Sequence, residues 1–557
     1  MKPDVGTARL HISRFLPSKL DYAGLGTSWR TDLLAGITVG IVALPLALAF
    51  GVSSGVGAEA GLITAIVAGL VAAVMGGSPV QVSGPTGAMV VVLAPVVALH
   101  GPGSVAPLSL MAGLLVCVLG FSGLGRAVAF IPWPVVEGFT LGIAAIIFLQ
   151  QVPPATGTSA APGHNTLIAA VEAASAATVP TALLTLAVVA GVAVVMVLVQ
   201  KLLRALPASL IAVLLATAAA ELFRLDIPRI GPLPHALPAP AVPAFDLDLL
   251  GSLAMPAVAI ACLAAIESLL SARVAAGMTG PDGRPSGPYS PDRELTGQGL
   301  ASIAAGLFGG MPATGAIART AVNVRSGAKT RLAAAVHAVV LLAIVYLASG
   351  MVSRIPLAAL GGVLMVTAVR MVSRRTVAAI LRSTRSDAAV FILTAIITVA
   401  FDLIVAIQIG LAAAALFALR TFASLSSVQR EEIPGPRAED DEHIAVLRLD
   451  GAMFFGAAER ILQEISQVKD VQVAIIRLSQ LRMLDATGAH ALVEVVSALE
   501  LRGITVLLKG VRPDHLQLVT NVGVIRSLRH HKHLFEHLGD AVEHARSHVR
   551  RNAAYRL

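Results

Sequence analysis

Long apolar runs separated by short polar loops fill the chain up to about residue 420. They fall near 33–51, 58–76, 85–98, 105–122, 128–151, 180–202, 207–222, 253–275, 295–308, 315–324, 331–350, 355–371, 388–404 and 405–420. A bilayer's hydrocarbon core takes about 20 apolar residues of helix, so the pattern predicts about fourteen segments that span or half-span a membrane. The pattern changes at 425–442, "SSVQREEIPGPRAEDDEH", a polar, turn-rich stretch that predicts a linker. Beyond it, "IAVLRL", "VQVAIIRL" and "ITVLLKGV" alternate with helical patterns such as "GAHALVEVVSALELRG". That alternation predicts a small α/β domain over 443–550.

Composition agrees with a polytopic membrane protein: of 557 residues, 56% are hydrophobic and 13% charged, with mean hydropathy +0.81. The net charge of +8 does not point to nucleic acid, because the basic residues sit in short loops between apolar segments. One set of loops holds Arg126, Lys201, Arg204, Arg284, Arg293, Arg325, Lys329, Arg331, Arg374, Arg375, Arg382 and Arg385; the other holds little beyond Arg224, Arg229 and Arg354. The bias places both termini in the cytoplasm and residues 1–31 as a cytoplasmic segment before a membrane domain at 32–424. No A-x-A site follows the first apolar run, so no cleaved signal peptide is expected. Cys117 and Cys262 lack partners at metal-ligand spacing and read as small core residues.

Two stretches interrupt the apolar pattern. "VSGPTGAMVV" (82–91) and "MPATGAIART" (311–320) share Thr-Gly-Ala, as Thr86-Gly87-Ala88 and Thr314-Gly315-Ala316. Helix breakers at matching places in two halves point to a transporter site in which half-helices start near the bilayer midplane. Helix N-termini carry unpaired N–H groups and the positive end of the dipole, which attract an anion. Thr86 and Thr314 would add hydroxyl donors, and Arg319 a guanidinium. Glu267 lies within the apolar "AIACLAAIESLLSARVAAG", where a carboxylate is costly and usually serves an ion or proton pathway. Ser271 shares its helix face at i+4. The rival readings are close helix packing for the glycines and a structural Glu267–Arg319 pair. Asp32, Glu59 and Glu137 lie near segment ends, where facing water is the default. "RHHKHLFEH", with His530, His531, His533 and His537, reads as a solvated helical face and not as a metal site, because nothing completes a ligand set.

These motifs resemble the SulP/SLC26 anion transporters. The matching strings are "DLLAGITVGIVALPLALAFGVSSG" (32–55), "GGSPVQVSGPTGAM" (76–89), "AAIESLLSA" (264–272), "RELTGQG" (293–299) and "FGGMPATGAIARTAVNVRSGAKT" (308–330). "DGAMFFGAAE" (450–459) and "LDATGAHAL" (484–492) are similar to the family's STAS domain. The resemblance implies two inverted seven-segment repeats split into core and gate domains, a homodimer, and an elevator-like movement of the core. It implies an anion site at Thr86, Gly87, Ala88, Thr314, Gly315, Ala316 and Arg319, and a coupling-ion position at Glu267 and Ser271. The sodium-dependent bicarbonate branch carries Asp and Thr at those last two positions. "IESLLSA", "GMTG" and "ATGAIART" instead resemble the branch with bacterial proton-coupled C4-dicarboxylate transporters. In some STAS domains the residue matching Thr487 is phosphorylated; here helix capping is the favoured role.

No catalytic triad or Walker loop is present, so the chain reads as a secondary transporter and not an enzyme. The expectation is proton-coupled symport of a small anion (C4-dicarboxylate, sulfate or bicarbonate) across the cell membrane, without a cofactor. The alternatives are sodium-driven bicarbonate uptake and an anion-gated channel or sensor signalling to cytoplasmic partners of the STAS domain.

Overall fold

The computed structural model describes residues 15–125, 132–158, 166–203, 206–233, 236–243, 247–400, 409–410, 412–417, 419, 427–434, 436, 438–454, 465 and 471–554. The chain divides into two compact units, Met1–Leu411 and Ala412–Leu557.

In the first unit the apolar runs form α1 (Leu25–Ser53), α2 (Ala58–Met75), α3 (Gly87–His100), α4 (Val105–Phe121), α5 (Trp133–Gln150), α6 (Val179–Leu202) and α7 (Ala208–Leu222). There follow α8 (Leu247–Gly277), α9 (Pro291–Leu307), α10 (Ile317–Arg325), α11 (Arg331–Val352), α12 (Leu357–Met371) and α13 (Arg385–Ala400). The first helix starts at Leu25, earlier than the expected boundary at 32. The expected fourteenth segment, 405–420, is described at 409–410, 412–417 and 419, all helical, and Arg126 and Arg204 lie outside the described residues. Among the described residues, 8 helical spans are long and apolar enough to cross a bilayer. Two helices cannot. The 14 residues of α3 and the 9 of α10 rise only about 21 and 14 Å against a hydrocarbon core of about 30 Å.

Packing repeats with the spacing of the segments. α4 packs on α9 as α11 does on α2, α1 on α11 as α8 does on α4, and α5 on α13 as α12 does on α6. Each pair maps onto the other when segments one to seven are laid on segments eight to fourteen. If the short third helix of each repeat completes its crossing with the extended stretch before it, each repeat makes seven crossings, an odd number, so the second repeat enters from the opposite side and the repeats are inverted. One bundle contains α1–α4 and α8–α11; α5–α7, α12 and α13 form the other, and α1 and α3 touch both. Small residues bring the backbones together. A Cβ on Gly113 would lie 2.7 Å from the Gly299 carbonyl oxygen, and one on Gly299 would lie 2.5 Å from that of Gly113, so at these two glycines α4 and α9 meet backbone to backbone.

Several charged groups expected in water instead tie the first bundle together. Asp32 is 0% exposed. Its carboxylate accepts from Ser28 Oγ (2.7 Å), from the N–H groups of Lys329 (2.7 Å) and Thr330 (3.1 Å), and from Thr330 Oγ1 (2.7 Å). Because Thr330 is the N-cap of α11, Asp32 complements the positive end of that helix while fixing it to α1. Arg293 and Arg331, read as loop charges, are buried and both donate to Asp21. Glu59 is exposed as expected, and Glu137, half-buried, accepts from Trp133 Nε1. Cys117 is buried, but Cys262 is exposed on α8 and is not a core residue.

The second unit is an α/β layer. Its strands are β3 (Ser427–Glu431), β4 (Ile444–Met453), β5 (Val473–Arg477), β6 (Leu481–Leu484), β7 (Thr505–Lys509) and β8 (Leu534–Phe535); β1 and β2 are described with the site. The sheet order is β3-β4-β5-β7-β8, with β6 pairing β4. β3 is antiparallel to β4; the other pairings are parallel. β3 falls inside the stretch expected to be a linker: Glu431 pairs with Arg448 and Arg477 from neighbouring strands, so this polar segment is an edge strand of the domain. Alternate residues face opposite ways. Ala445, Leu447 and Leu449 pack in the core that includes α14 (Ala486–Leu501), whereas Ile444 and Val446 pack with Ala541, Ala545 and Val549 of α16 (Leu538–Ala554). α15 (Pro513–Val522) supplies Val519 to the α14 side.

Two sequence readings change in this unit. Asp485, not Thr487, caps α14, accepting from Gly488 N–H at 2.7 Å; Thr487 is exposed in the first turn. The stretch from His530 is not a helical face but a 3-10 turn (His531–His533) leading into β8, with His533 buried. Folding brings His544 and His548 of α16 against it.

Asp32→Ala leaves the Lys329 and Thr330 amides without their carboxylate, which costs about 2–3 kcal/mol. Thermal unfolding of detergent-purified protein should show a clearly lowered midpoint, while exposed Glu59→Gln leaves it unchanged. An Asp32→Ala midpoint equal to wild type would show that the carboxylate does not hold α1 to α11.

Candidate functional site

Ser83–Gly84 (β1) and Thr314–Gly315 (β2) pair antiparallel across the centre of the first bundle, with Ser83 opposite Gly315 and Gly84 opposite Thr314. Ala316 N–H adds a bond to the Val82 carbonyl at 2.9 Å. The backbone groups freed by two broken helices are therefore satisfied by each other, as a lipid-surrounded interior requires. From this crossing α3 begins at Gly87 and α10 at Ile317. The first amides of each helix have no intrahelical acceptor and face the N-terminal end.

Three of the expected residues converge on one atom. Thr86 Oγ1 and Thr314 Oγ1 each lie 2.8 Å from Glu267 Oε2, and the two hydroxyls are 3.3 Å apart. The contacting residues are 181 and 47 positions apart in sequence. Next to Glu267, Ser268 Oγ accepts from Gly315 N–H at 3.0 Å. Ser271, placed beside Glu267 in the sequence reading, contacts Thr320 Oγ1 at 3.3 Å, and that oxygen accepts from Val82 N–H. Ser271 thus supports the strand pair one turn away from the threonines.

Arg319 is 3% exposed and donates through Nη2 to the Pro85 carbonyl at 2.7 Å, while its buried Nη1 has no hydrogen-bond partner. Among the described ion pairs none joins Arg319 to Glu267. The guanidinium lies against Gly84: a Cβ there would be 2.7 Å from Nη1. Gly315 is equally confined, since its Cβ would fall 1.7 Å from Gln81 Nε2. Gly87 faces the second bundle, with Ile147 Cδ1 of α5 only 2.1 Å from the place of its Cβ, and Ala88 is buried behind it. Ala316 is the N-cap of α10. The residues read as an anion site thus surround the start of α3, the start of α10 and the boundary between bundles.

The sequence reading missed the support behind β1. Glu294 on α9, 1% exposed, accepts from Gly77 N–H (2.7 Å), Ser78 N–H (2.9 Å), Gln81 Nε2 (2.9 Å) and Gln298 Nε2 (2.9 Å). Gln298 Nε2 also lies 2.5 Å from Ser83 Oγ. The Glu/Gln spacing of four in "RELTGQG" was the available signal, since it puts both groups on one helix face. His337 on α11 was missed as well: it is 0% exposed, neither ring nitrogen has a hydrogen-bond partner, and its ring lies 3.6 Å from where a Cβ on Gly69 would stand. A lone histidine in "RLAAAVHAVVLLAIVYL" was its signal.

This arrangement offers two helix N-termini, two hydroxyls and one guanidinium to a small anion, with a carboxylate touching the same hydroxyls. Comparison with known proteins identifies the family. The Sulfate permease family model matches residues 29–394, and the STAS domain model matches 435–541. The chain is 32% identical over 526 residues to YvdB of Bacillus subtilis (strain 168), provisionally named a sulfate transporter, covering 91% of this chain and 96% of that one. It is 31% identical over 506 residues to the bicarbonate transporter BicA of Synechocystis sp. (strain ATCC 27184 / PCC 6803 / Kazusa), covering 86% and 88%. The structure of SLC26A9 superposes with a TM-score of 0.80 over 97% of this chain and 94% of that one, at 17% identity, a likeness of fold. The chain belongs to the sulfate permease (SulP/SLC26) family of membrane anion transporters, with a C-terminal STAS domain.

Proposed function

We propose that the chain is a proton-coupled symporter of a small anion, drawn from bicarbonate, sulfate and C4-dicarboxylates, that moves its first bundle against its second in an elevator-like cycle. The observation that carries this reading is the sharing of Glu267 Oε2 by Thr86 and Thr314. Each hydroxyl has one proton to donate. An ionised Glu267 takes both, and also repels an incoming anion. A protonated Glu267 releases the hydroxyls and removes the repulsion, so the anion binds together with the proton. Neither is then held well alone, which is the requirement for symport. We place the protein in the cell membrane with both termini cytoplasmic, on the distribution of loop charges, and as a homodimer on the family resemblance.

Sodium-driven bicarbonate uptake is the second reading, favoured by the identity to BicA. The two differ in their driving ion, and uptake into proteoliposomes under an imposed proton or sodium gradient separates them. Accumulation driven by sodium at constant pH would overturn proton coupling. A channel or sensor would accumulate nothing against a gradient.

Glu267→Gln fixes a neutral side chain in the shape of the protonated acid. Proton-driven uptake should fall at least about 100-fold, while anion-for-anion counterflow persists because the loaded core still moves. Proton-driven accumulation equal to wild type would assign coupling elsewhere, with His337 the next titratable group to replace.

Arg319→Ala removes a charge-assisted donor facing the start of α3. Anion affinity should weaken about 10- to 100-fold, equivalent to about 1.4–2.8 kcal/mol. An unchanged Kd in a variant with wild-type melting behaviour would exclude Arg319 from the binding site.

A further inference from the structure

The C-terminal unit carries a cluster that anion transport does not use. One nitrogen from each of His533, His544 and His548 lies within 4.8 Å of the others. The ring centroids are 5.5 Å apart for His533–His544, 5.4 Å for His533–His548 and 4.8 Å for His544–His548. We propose that these three imidazoles form a binding site for a divalent first-row transition metal of the zinc type.

Helix geometry supplies two of the ligands. His544 and His548 are four residues apart on α16, so they share a face, and their Nε2 atoms already stand 3.2 Å apart. Two nitrogens bound tetrahedrally to one zinc ion at about 2.0 Å are about 3.3 Å apart. The third ligand comes from the turn before β8. His533 is 4% exposed, and its Nδ1 has no hydrogen-bond partner. A buried imidazole nitrogen left unpaired is costly; a metal ion would satisfy it.

The donor set selects the ion. Three neutral nitrogens without a carboxylate suit zinc, cobalt, nickel or copper, and not magnesium or calcium. Phe535 packs on His544 at 5.3 Å and walls one side. Three protein ligands leave a fourth position for water or an added ligand. Bound there, the ion pins α16 to the turn that enters the sheet's edge strand.

The test uses full-length protein in detergent, stripped with a chelator and titrated with zinc chloride, with cobalt as the spectroscopic probe. Wild type should bind one zinc per chain at about 10 µM free metal and give the intense visible absorption of a low-symmetry cobalt site. His544→Gln and His548→Gln, on half-buried positions of a helix, should weaken binding at least about 100-fold while keeping the wild-type metal-free melting curve. The double variant His530→Gln/His531→Gln removes two exposed histidines of the same stretch and should bind as wild type. The proposal is overturned if wild type takes up no zinc, if the α16 variants bind it unchanged, or if the double variant abolishes binding.

Discussion

A peptide group inside a bilayer has no water to turn to, and at Ser83–Gly84 and Thr314–Gly315 this chain gives up the helical partner as well. The short antiparallel pairing between these two segments is what makes the interruption tolerable. Everything at the site follows from it. The pairing sets the start of α3 and α10 and brings Thr86 and Thr314 to 3.3 Å, and Gln81 beside it leaves no room for a side chain at Gly315. The glycines are therefore a steric condition for the crossing, and the threonines at its edges are the groups that meet Glu267.

Two buried carboxylates keep that crossing in place while a third is available for chemistry. Asp32 and Glu294 each accept four hydrogen bonds, largely from backbone amides and neutral side chains. Such groups are tied to one geometry, because moving the carboxylate away leaves several buried donors unpaired. Glu267 differs: its two hydroxyl partners can reorient toward another acceptor. That contrast in partners, rigid amides against rotatable hydroxyls, separates the structural acids from the one suited to exchange its contacts with an anion.

The boundary between the bundles passes the same place. Gly87 at the start of α3 rests against Ile147 of α5, so the N-terminal end of one half-helix also abuts the other bundle. A relative displacement of the bundles would expose or cover it without unfolding the strand pair, since β1, β2, α8 and α10 all belong to the first bundle. The inverted repeat thus provides both the paired N-termini and a body able to carry them.

The sequence by itself determined the membrane class, the positions of nearly every described segment, the two interrupted stretches and the carboxylate at 267. Those signals are local: apolar length, helix-breaking residues, and an ionisable group where lipid or protein must surround it. Tertiary structure alone decided which groups meet. Periodicity put Ser271 beside Glu267, but the approach of β2 selected Ser268. Asp32 looked like a segment-end charge until the turn before α11 folded over it, and a polar linker became a strand because β4 offered a free edge. His533 acquired two histidine neighbours from a helix that begins after it. Residue spacing describes one element's faces; contacts between elements depend on how distant segments pack, and that is not written at either position.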